Sequence, residues 1–252
     1  MLWTLFFVVK SKKGGKATDK IFKYSEHGGE IIITGLKKGV SDTSIVIPET
    51  IDGMPVVEIG PTAFEFTSIV DIKIGGNVRK IGDDAFYNCD ELSSVTWNCK
   101  CDVIPAYCFS ECPKLTNFDF SNIKKIGRYA FWRSGLQEVC LPKSIEILEE
   151  GTFSECSELQ SVTWNCTCDV ISACCFSKSS NLTQFDLSGI KKVEKHAFLR
   201  SGLISVTISK GTAVGKRCFA FCESLTKVEW LSGRNIEASA FVSSPDAEIT
   251  FI

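Results

Sequence analysis

Residues that usually carry catalysis or bind metals are scarce in this sequence. Histidine occurs only twice, at His27 and His196, and the two positions are far apart. The sequence has no Cys-x-x-Cys pair, no Gly-x-Ser-x-Gly motif and no phosphate-binding glycine loop. Zinc sites, hydrolase nucleophiles and nucleotide sites depend on those spacings. We therefore predict that the chain is not an enzyme and holds no metal or cofactor.

The sequence also lacks an excess of either charge and lacks long apolar runs. The 28 lysine and arginine residues are balanced by 30 aspartate and glutamate residues, and the basic residues form no continuous stripe. A nucleic-acid partner is therefore not expected. No apolar run approaches the roughly 18 residues that a membrane-spanning helix needs, so we predict no membrane span.

The first residues resemble a secretory signal only in part. Met1–Val9 is apolar, but it lacks the basic start and the small-x-small cleavage site of a signal peptide. A flexible or capping start is favoured over a signal or anchor remnant. We predict an N-terminal segment over residues 1–20 and a repeat domain over 21–252, in which 21–58 form an irregular cap and first coil.

A row of phenylalanines repeats through most of the chain at intervals of 21 to 23 residues. Its members are Phe64, Phe86, Phe109, Phe131, Phe153, Phe176, Phe198, Phe219 and Phe241. Five residues before each stands an aliphatic side chain: Ile59, Ile81, Ile104, Ile126, Leu148, Ile171, Val193, Val214 and Ile236. Two unbroken rows at this period predict a solenoid, in which each coil packs on its neighbours.

The unit that starts at Leu136 shows what each coil contributes. Val139 and Leu141 alternate with Glu138 and Cys140, which is typical of a half-buried strand with the first pair inside. One such strand in each coil would stack into a parallel sheet. Before the first coil, two apolar runs flank Gly28-Gly29, and this pattern predicts a β-hairpin.

From about residue 45 to residue 252 the chain resembles the BspA-like leucine-rich repeats. The segments 59–64 (IGPTAF), 81–89 (IGDDAFYNC) and 126–131 (IGRYAF) follow the unit of that family almost letter for letter. The resemblance implies a leucine-rich-repeat solenoid of the α/β class with about ten coils of 21–23 residues. Short parallel β-strands are expected on one side and turns or single helical turns on the convex side.

A longer repeat lies above the short one. Residues 93–104 return at 160–171, and residues 128–136 return at 195–203, each with an offset of 67 residues. This offset equals three units, which indicates that a block of three coils was copied.

Placing the thirteen cysteines in the register of the repeat predicts nine of them in the core, where free thiols act as small apolar groups. These nine are Cys89, Cys101, Cys108, Cys112, Cys156, Cys168, Cys175, Cys218 and Cys222. The other four, whose redox state the sequence leaves open, are Cys99, Cys140, Cys166 and Cys174. Cys99 and Cys166 lie three coils apart, which is too far for one zinc ion.

The outward positions of the predicted strands form a polar row that we predict to be the binding face. It comprises Lys73, Thr96, Asp119, Glu138, Thr163, Asp186, Thr207 and Glu229. Stacked repeats use extended surfaces of this kind to bind proteins. The alternative is that the row is only the solvated side of the sheet, since it has no exposed aromatic residue to act as a hot spot.

The family resemblance implies a surface or secreted protein that takes part in adhesion or binds a host protein. An intracellular scaffold or recognition subunit is the alternative, favoured by the many free cysteines and the weak signal. Two sequons, at Asn165 and Asn181, matter only in a secreted protein. In the last unit Asp246 replaces the expected leucine. We predict either weak end-to-end self-association through an open sheet edge there, or that this chain is part of a longer protein.

Overall fold

The computed structural model describes residues 20–231, 238–244 and 247–251 of the chain. They form a β-solenoid of about ten coils, which confirms the predicted fold class. Within those ranges the one helical element after residue 20 is a short 3-10 helix, Ala238–Phe241. Residues 1–19, Ile236 and Asp246 lie outside the described residues, so the expectations placed on them and the predicted domain bounds stay predictions.

An antiparallel hairpin precedes the regular coils, as its glycines predict. Strand β1 (Phe22–His27) pairs with β2 (Glu30–Leu36) through a turn at Gly28 and Gly29, which both have positive φ angles. Strand β2 also pairs in parallel with β5 (Met54–Ile59), so the hairpin joins the solenoid as an extra layer of sheet. Strand β4 (Thr50–Ile51) folds back antiparallel on β5.

One side of the solenoid carries the longer strands, and we call it the strand face. Its strands are β3 (Ser44–Val46), β6 (Asp71–Ile74), β8 (Ser94–Trp97), β11 (Glu138–Leu141), β13 (Ser161–Trp164), β16 (Ser205–Ile208), β18 (Lys227–Trp230) and β19 (Glu248–Phe251). All pairings are parallel, and they join the strands in three groups: β3-β6-β8, β11-β13 and β16-β18-β19. In β11 burial alternates as predicted, with Val139 and Leu141 inside.

A second row of strands, two residues each, was not predicted. Its members are β7 (Lys80–Ile81), β9 (Val103–Ile104), β10 (Lys125–Ile126), β12 (Ile147–Leu148), β14 (Val170–Ile171), β15 (Lys192–Val193) and β17 (Ala213–Val214). Each ends on the aliphatic residue five positions before a core phenylalanine. A strand of two residues is too short to show an alternation of period two, so the sequence pattern identifies only the aliphatic residue at its end.

The turn side is held together by a third set of backbone hydrogen bonds. At each junction between successive phenylalanine coils, three N–H groups of the earlier coil donate to carbonyls of the later coil, at 2.7 to 3.2 Å. At the first junction the donors are Thr62, Phe64 and Phe66. The intervening Ala63 and Glu65 donate instead to carbonyls three residues back in their own coil. Every turn therefore alternates between bonds along the solenoid and bonds within the coil.

This alternation requires left-handed backbone at two positions in each turn. The residues two before and two after the core phenylalanine have φ between 52° and 65° in coil after coil, as at Tyr107, Glu111, Tyr129 and Arg133. For residues other than glycine this conformation costs roughly 1–2 kcal/mol each. The hydrogen bonds between coils fix the backbone of the turn and keep these residues in the left-handed conformation.

The core is a continuous stack of the nine phenylalanines. From Phe64 to Phe219 each ring is fully buried, and Phe241 is 9% exposed. Successive ring centroids lie 5.3 to 5.7 Å apart with interplanar angles of 2° to 25°. The predicted row is thus confirmed as the centre of the fold, and the aliphatic row beside it is buried from Ile59 to Val193.

Candidate functional site

The strand face displays the predicted polar row on rigid backbone. Lys73, Thr96, Glu138, Thr163 and Thr207 stand on β6, β8, β11, β13 and β16 with exposed side chains. The parallel register places Lys73 directly beside Thr96. Neighbouring strands are about 4.8 Å apart, so adjacent members of the row can contact one ligand together.

Asp119 and Asp186 are exposed but do not stand on strands, contrary to the prediction. The Asp119 carboxylate accepts a hydrogen bond from the Ser121 N–H at 2.9 Å, and Asp186 accepts one from the Ser188 N–H at 2.8 Å. A short acidic side chain that bonds the backbone two residues on competes with a sheet ladder. The strand face is therefore divided into its three groups at these two coils.

Glu229 differs from the rest of the row because its charge is already compensated. Its carboxylate accepts a hydrogen bond from Lys227 Nζ at 2.6 Å and another from Thr207 Oγ1 at 3.2 Å. The bond from Lys227 holds the pKa of Glu229 below its ordinary value. Glu229 is also half-buried, whereas Thr207 beside it is exposed.

A notch of about 600 Å³ opens in the strand face at the second interruption. Val162 lies on one side and Thr207 on the other, with Gln184, Phe185 and Asp186 between them. Two of the predicted site residues, Asp186 and Thr207, thus share one depression. The notch has a polar rim and an apolar floor, since the Phe185 ring beneath it is buried.

The turn side carries one exposed phenylalanine and several half-buried tyrosines that the prediction missed. Phe66 is 64% exposed and packs edge-on against Tyr87, with ring centroids 5.6 Å apart. Tyr107 stacks on Tyr129 at 5.5 Å, and the Arg128 guanidinium lies 5.4 Å from the Tyr107 ring centroid. Aromatic residues within two positions of the core phenylalanine are the signal that would have located this strip.

One row of charges on the turn side is paired along the solenoid. Arg133 bridges Glu111 at 3.0 Å and Glu155 at 2.8 Å, and Glu155 also binds Lys178 at 2.6 Å. Burial alone would raise the pKa of Glu155, but hydrogen bonds from Lys178 and Arg133 outweigh it and lower the pKa. This row therefore joins four coils internally and offers little uncompensated charge to a ligand.

The cysteines lie largely where the repeat predicts, and all thirteen are free. Eight of the nine assigned to the core are buried. Burial raises the pKa of Cys89 to about 11 and that of Cys156 to about 12, so these thiols stay protonated. Cys168 is the exception, since it is only half-buried and its side chain contacts that of Cys166.

Neither a metal site nor a membrane-crossing segment is found in the part of the chain that the structure describes. Across residues 20–231, 238–244 and 247–251, no three histidine, cysteine or acidic side chains converge to hold a metal ion. In the same ranges no helix has the length and apolar character needed to cross a membrane.

Comparison with protein families identifies one match. The sequence profile of the BspA type leucine rich repeat region matches residues 37–160 and 124–248, with six copies. None of the curated proteins compared with the chain matches it.

Two solved structures illustrate the similarity of fold. A leucine-rich repeat protein from Bacteroides ovatus has a TM-score of 0.68 and 18% sequence identity, over 97% of this chain and 78% of its own. A leucine-rich repeat protein from T. pallidum has a TM-score of 0.64 and 28% identity, over 82% of this chain and 88% of its own.

Proposed function

Because the chain belongs to the BspA-type leucine-rich repeat family, we propose that it is a non-catalytic protein that binds another protein through its strand face. Leucine-rich repeats in general serve as protein-interaction modules. The observation that carries the proposal is the row of exposed polar side chains on β6, β8, β11, β13 and β16. These side chains stand on paired strands above a buried core, so the surface is organised before a partner arrives.

The notch gives this face a place for a protruding side chain. Its floor at Phe185 is apolar, while Asp186, Thr207 and Gln184 supply polar groups around it. The Asp186 carboxylate already bonds Ser188, so we assign to it the shaping of the notch and to Thr163 and Thr207 the direct contacts. A partner with a mixed polar and apolar loop fits such a surface better than a small ligand, since the depression is wide open.

The proposal is tested by placing bulky charges on the strand face. Thr96→Arg and Thr163→Arg are suited to this because both side chains are exposed and stand on regular strands. The matched control is Ser224→Arg, an exposed position in a turn outside the strand face. Each chain is immobilised, exposed to proteins extracted from the native source, and the retained proteins are compared by mass spectrometry.

We expect proteins that the native chain and the control retain, and that both strand-face variants lose by at least about tenfold, a change of about 1.4 kcal/mol. Retention of the same proteins by all four chains would place the binding surface elsewhere. The first alternative is the turn side, where Phe66→Ala removes the most exposed aromatic ring.

We further propose that the protein acts at the cell surface or as a secreted protein, in adhesion or in binding a host protein. The exposure of both sequon asparagines, Asn165 and Asn181, is compatible with this. The alternative, an intracellular scaffold, is supported by the thirteen free cysteines. Glycan on Asn165 or Asn181 in protein from its native source favours the first; fully reduced protein without glycan favours the second.

The weak end-to-end association remains a proposal as well. Strand β19 pairs with β18 on one side, and the described residues include no strand on its other side. An unpaired edge of this kind is a template for another strand. Sedimentation over a range of concentrations should show reversible dimers, whereas a monomer at every concentration contradicts the proposal.

A further inference from the structure

The copied block places two Cys-x-Cys bends at equivalent points of the solenoid. Cys99 and Cys101 follow β8, and Cys166 and Cys168 follow β13. In both copies the indole N–H of the strand's tryptophan donates to the carbonyl of the second cysteine, at 2.8 Å and 2.9 Å. The two bends thus share one anchor, and differences between them arise from the side chains and the preceding coil.

In the first copy the second thiol is buried and bonded to a backbone carbonyl. The backbone N–H of Lys100 donates to the Val78 carbonyl at 2.9 Å, which fixes the bend against the preceding coil. Cys101 is only 6% exposed, and its thiol donates to the Val103 carbonyl at 3.1 Å. Burial raises the pKa of Cys99 to about 11, so its thiol is a poor nucleophile near neutral pH.

In the second copy the two thiols face each other. The carbonyl equivalent to that of Val78 belongs to Ile145, and the Thr167 hydroxyl and the Cys168 thiol approach it, at 3.5 Å and 3.6 Å. Cys166 and Cys168 are both half-buried, and their side chains are in contact. This contact lowers the pKa of Cys166 from its ordinary value and, together with burial, raises that of Cys168.

We propose that Cys166 and Cys168 are a redox-active dithiol that closes to a disulfide by exchange with a small-molecule disulfide, and that Cys99 and Cys101 are not. The residues are two apart in a bend, their side chains are in contact, and both are partly exposed to solvent. A disulfide requires such proximity of the two side chains before it can form. The proposal is independent of the protein-binding role of the strand face.

The exchange proceeds in two steps with oxidised glutathione as the disulfide. The Cys166 thiolate attacks one sulfur of glutathione disulfide, whose S–S bond breaks, and one glutathione thiolate leaves. Cys168 then loses its proton to solvent, its sulfur attacks the Cys166 sulfur, and the second glutathione leaves. Two protein thiols are thereby oxidised to one disulfide, and one glutathione disulfide is reduced to two molecules of glutathione.

The first copy serves as a control within the same molecule. Each unit by which the pKa of a thiol falls gives about tenfold more thiolate near neutral pH. The same fall in pKa makes that thiolate a weaker nucleophile, with a Brønsted coefficient of about 0.4–0.5. Contact with Cys168 lowers the pKa of Cys166, whereas burial raises that of Cys99 to about 11. The net expectation is faster exchange at Cys166 than at Cys99. Cys140, which is exposed and has no neighbouring cysteine in its coil, should stop at the glutathione adduct.

The test uses the full reduced chain in a glutathione redox buffer, followed by acid quench, alkylation and peptide mapping. We expect a disulfide that joins Cys166 to Cys168, formed at least about tenfold faster than any modification of Cys99 or Cys101. In Cys168→Ser the mixed disulfide should accumulate on Cys166, because the resolving thiol is gone. Cys99→Ser should leave the second pair unchanged.

Two outcomes would overturn the proposal. One is equal oxidation of both Cys-x-Cys pairs in the native chain, which would make the reaction a general property of the bend. The other is a persistent glutathione adduct on Cys166 of the native chain, which would show that Cys168 cannot reach it. Both results are read from the native chain itself, so they do not depend on whether a variant folds.

Discussion

Removing one ring from the middle of the phenylalanine stack should weaken the whole array. Phe153 is fully buried, and its ring lies 5.7 Å from Phe131 on one side and 5.7 Å from Phe176 on the other. A third ring, Phe120, meets it edge-on at 6.2 Å. For Phe153→Ala we expect a loss of about 3–5 kcal/mol in the free energy of unfolding, as for other buried phenylalanines replaced by alanine.

The size of this loss follows from two contributions. Burying a phenylalanine side chain stabilises a protein by about 1.5–3 kcal/mol. The remainder comes from the cavity and from the lost stacking, which contributes about 0.5–1.5 kcal/mol for an aromatic pair. The backbone hydrogen bonds on either side, from Phe131 N to Thr152 O and from Phe153 N to Cys175 O, limit the collapse of the coils into the cavity.

Urea unfolding followed by circular dichroism measures the effect. With a slope of about 3 kcal/mol/M, the midpoint should fall by ~1–1.7 M. The matched control is Phe66→Ala, in which the same ring is 64% exposed, and there we expect a loss below about 1 kcal/mol. Each coil packs only on the coil before it and the coil after it, so the central cavity should also broaden the unfolding transition. Equal midpoints for the two variants would refute the central role of the stack.

Two further predictions concern the loops and the pH dependence. Gly135→Ala should lower the free energy of unfolding by about 1–3 kcal/mol, because an added Cβ would overlap the Pro113 carbonyl oxygen. Gly76→Ala is the control, since the nearest atom to its added Cβ is the end of the Glu49 side chain at 3.5 Å, and it should be nearly neutral in the same assay. The hydrogen bond from Lys125 lowers the pKa of Glu149 below 4.5 in the folded chain. The ionised Glu149 therefore stabilises the fold above that pH, and this stabilisation is lost as the pH falls through the folded pKa. The free energy of unfolding, measured from pH 6 to pH 3, should fall less steeply in Glu149→Gln than in the native chain.

Much of the fold could be predicted because its core positions repeat. The spacing of Phe64, Phe86 and their successors predicts the coil, and the register then places nine cysteines in the core, eight of which are buried. The alternation of Glu138 to Leu141 predicts a strand with the correct residues inside. These features depend on which side chains are apolar, and apolar spacing is what a sequence displays most directly.

The turn side could not be predicted from local preferences. Tyr107, Glu111 and Arg133 have no intrinsic tendency toward left-handed backbone, and they adopt it because the adjacent coil supplies the acceptors. The breaks in the strand face at Asp119 and Asp186 were predictable in principle, since Asp-x-Ser is a turn signal. The repeat register outweighed that signal and assigned both residues to strands.

The contact between the two thiols after β13 could not be predicted from the sequence, for a different reason. Cys99-x-Cys101 and Cys166-x-Cys168 have the same spacing after the same strand motif. They differ in how the bend meets the preceding coil, through the Val78 carbonyl in one copy and the Ile145 carbonyl in the other. Two segments of nearly identical sequence therefore differ in the environment of their thiols, because they contact different preceding coils.

The hydrogen bonds of the turn side also make the solenoid an electrically polar rod. In a parallel sheet, N–H groups point alternately to the two neighbouring strands, so their dipoles largely cancel. On the turn side every bond between coils runs from an earlier N–H to a later carbonyl, as from Phe64 to Ala85 and from Phe219 to Ala240. Peptide dipoles of about 3.5 D therefore add along the axis, with the positive end toward the later coils.

This polarity restricts how two copies can stack. A two-fold symmetric contact between later coils would set N–H donors of one copy against N–H donors of the other. A head-to-tail contact sets donors against carbonyl acceptors and aligns the dipoles. Any association that continues the turn-side ladder is therefore directional.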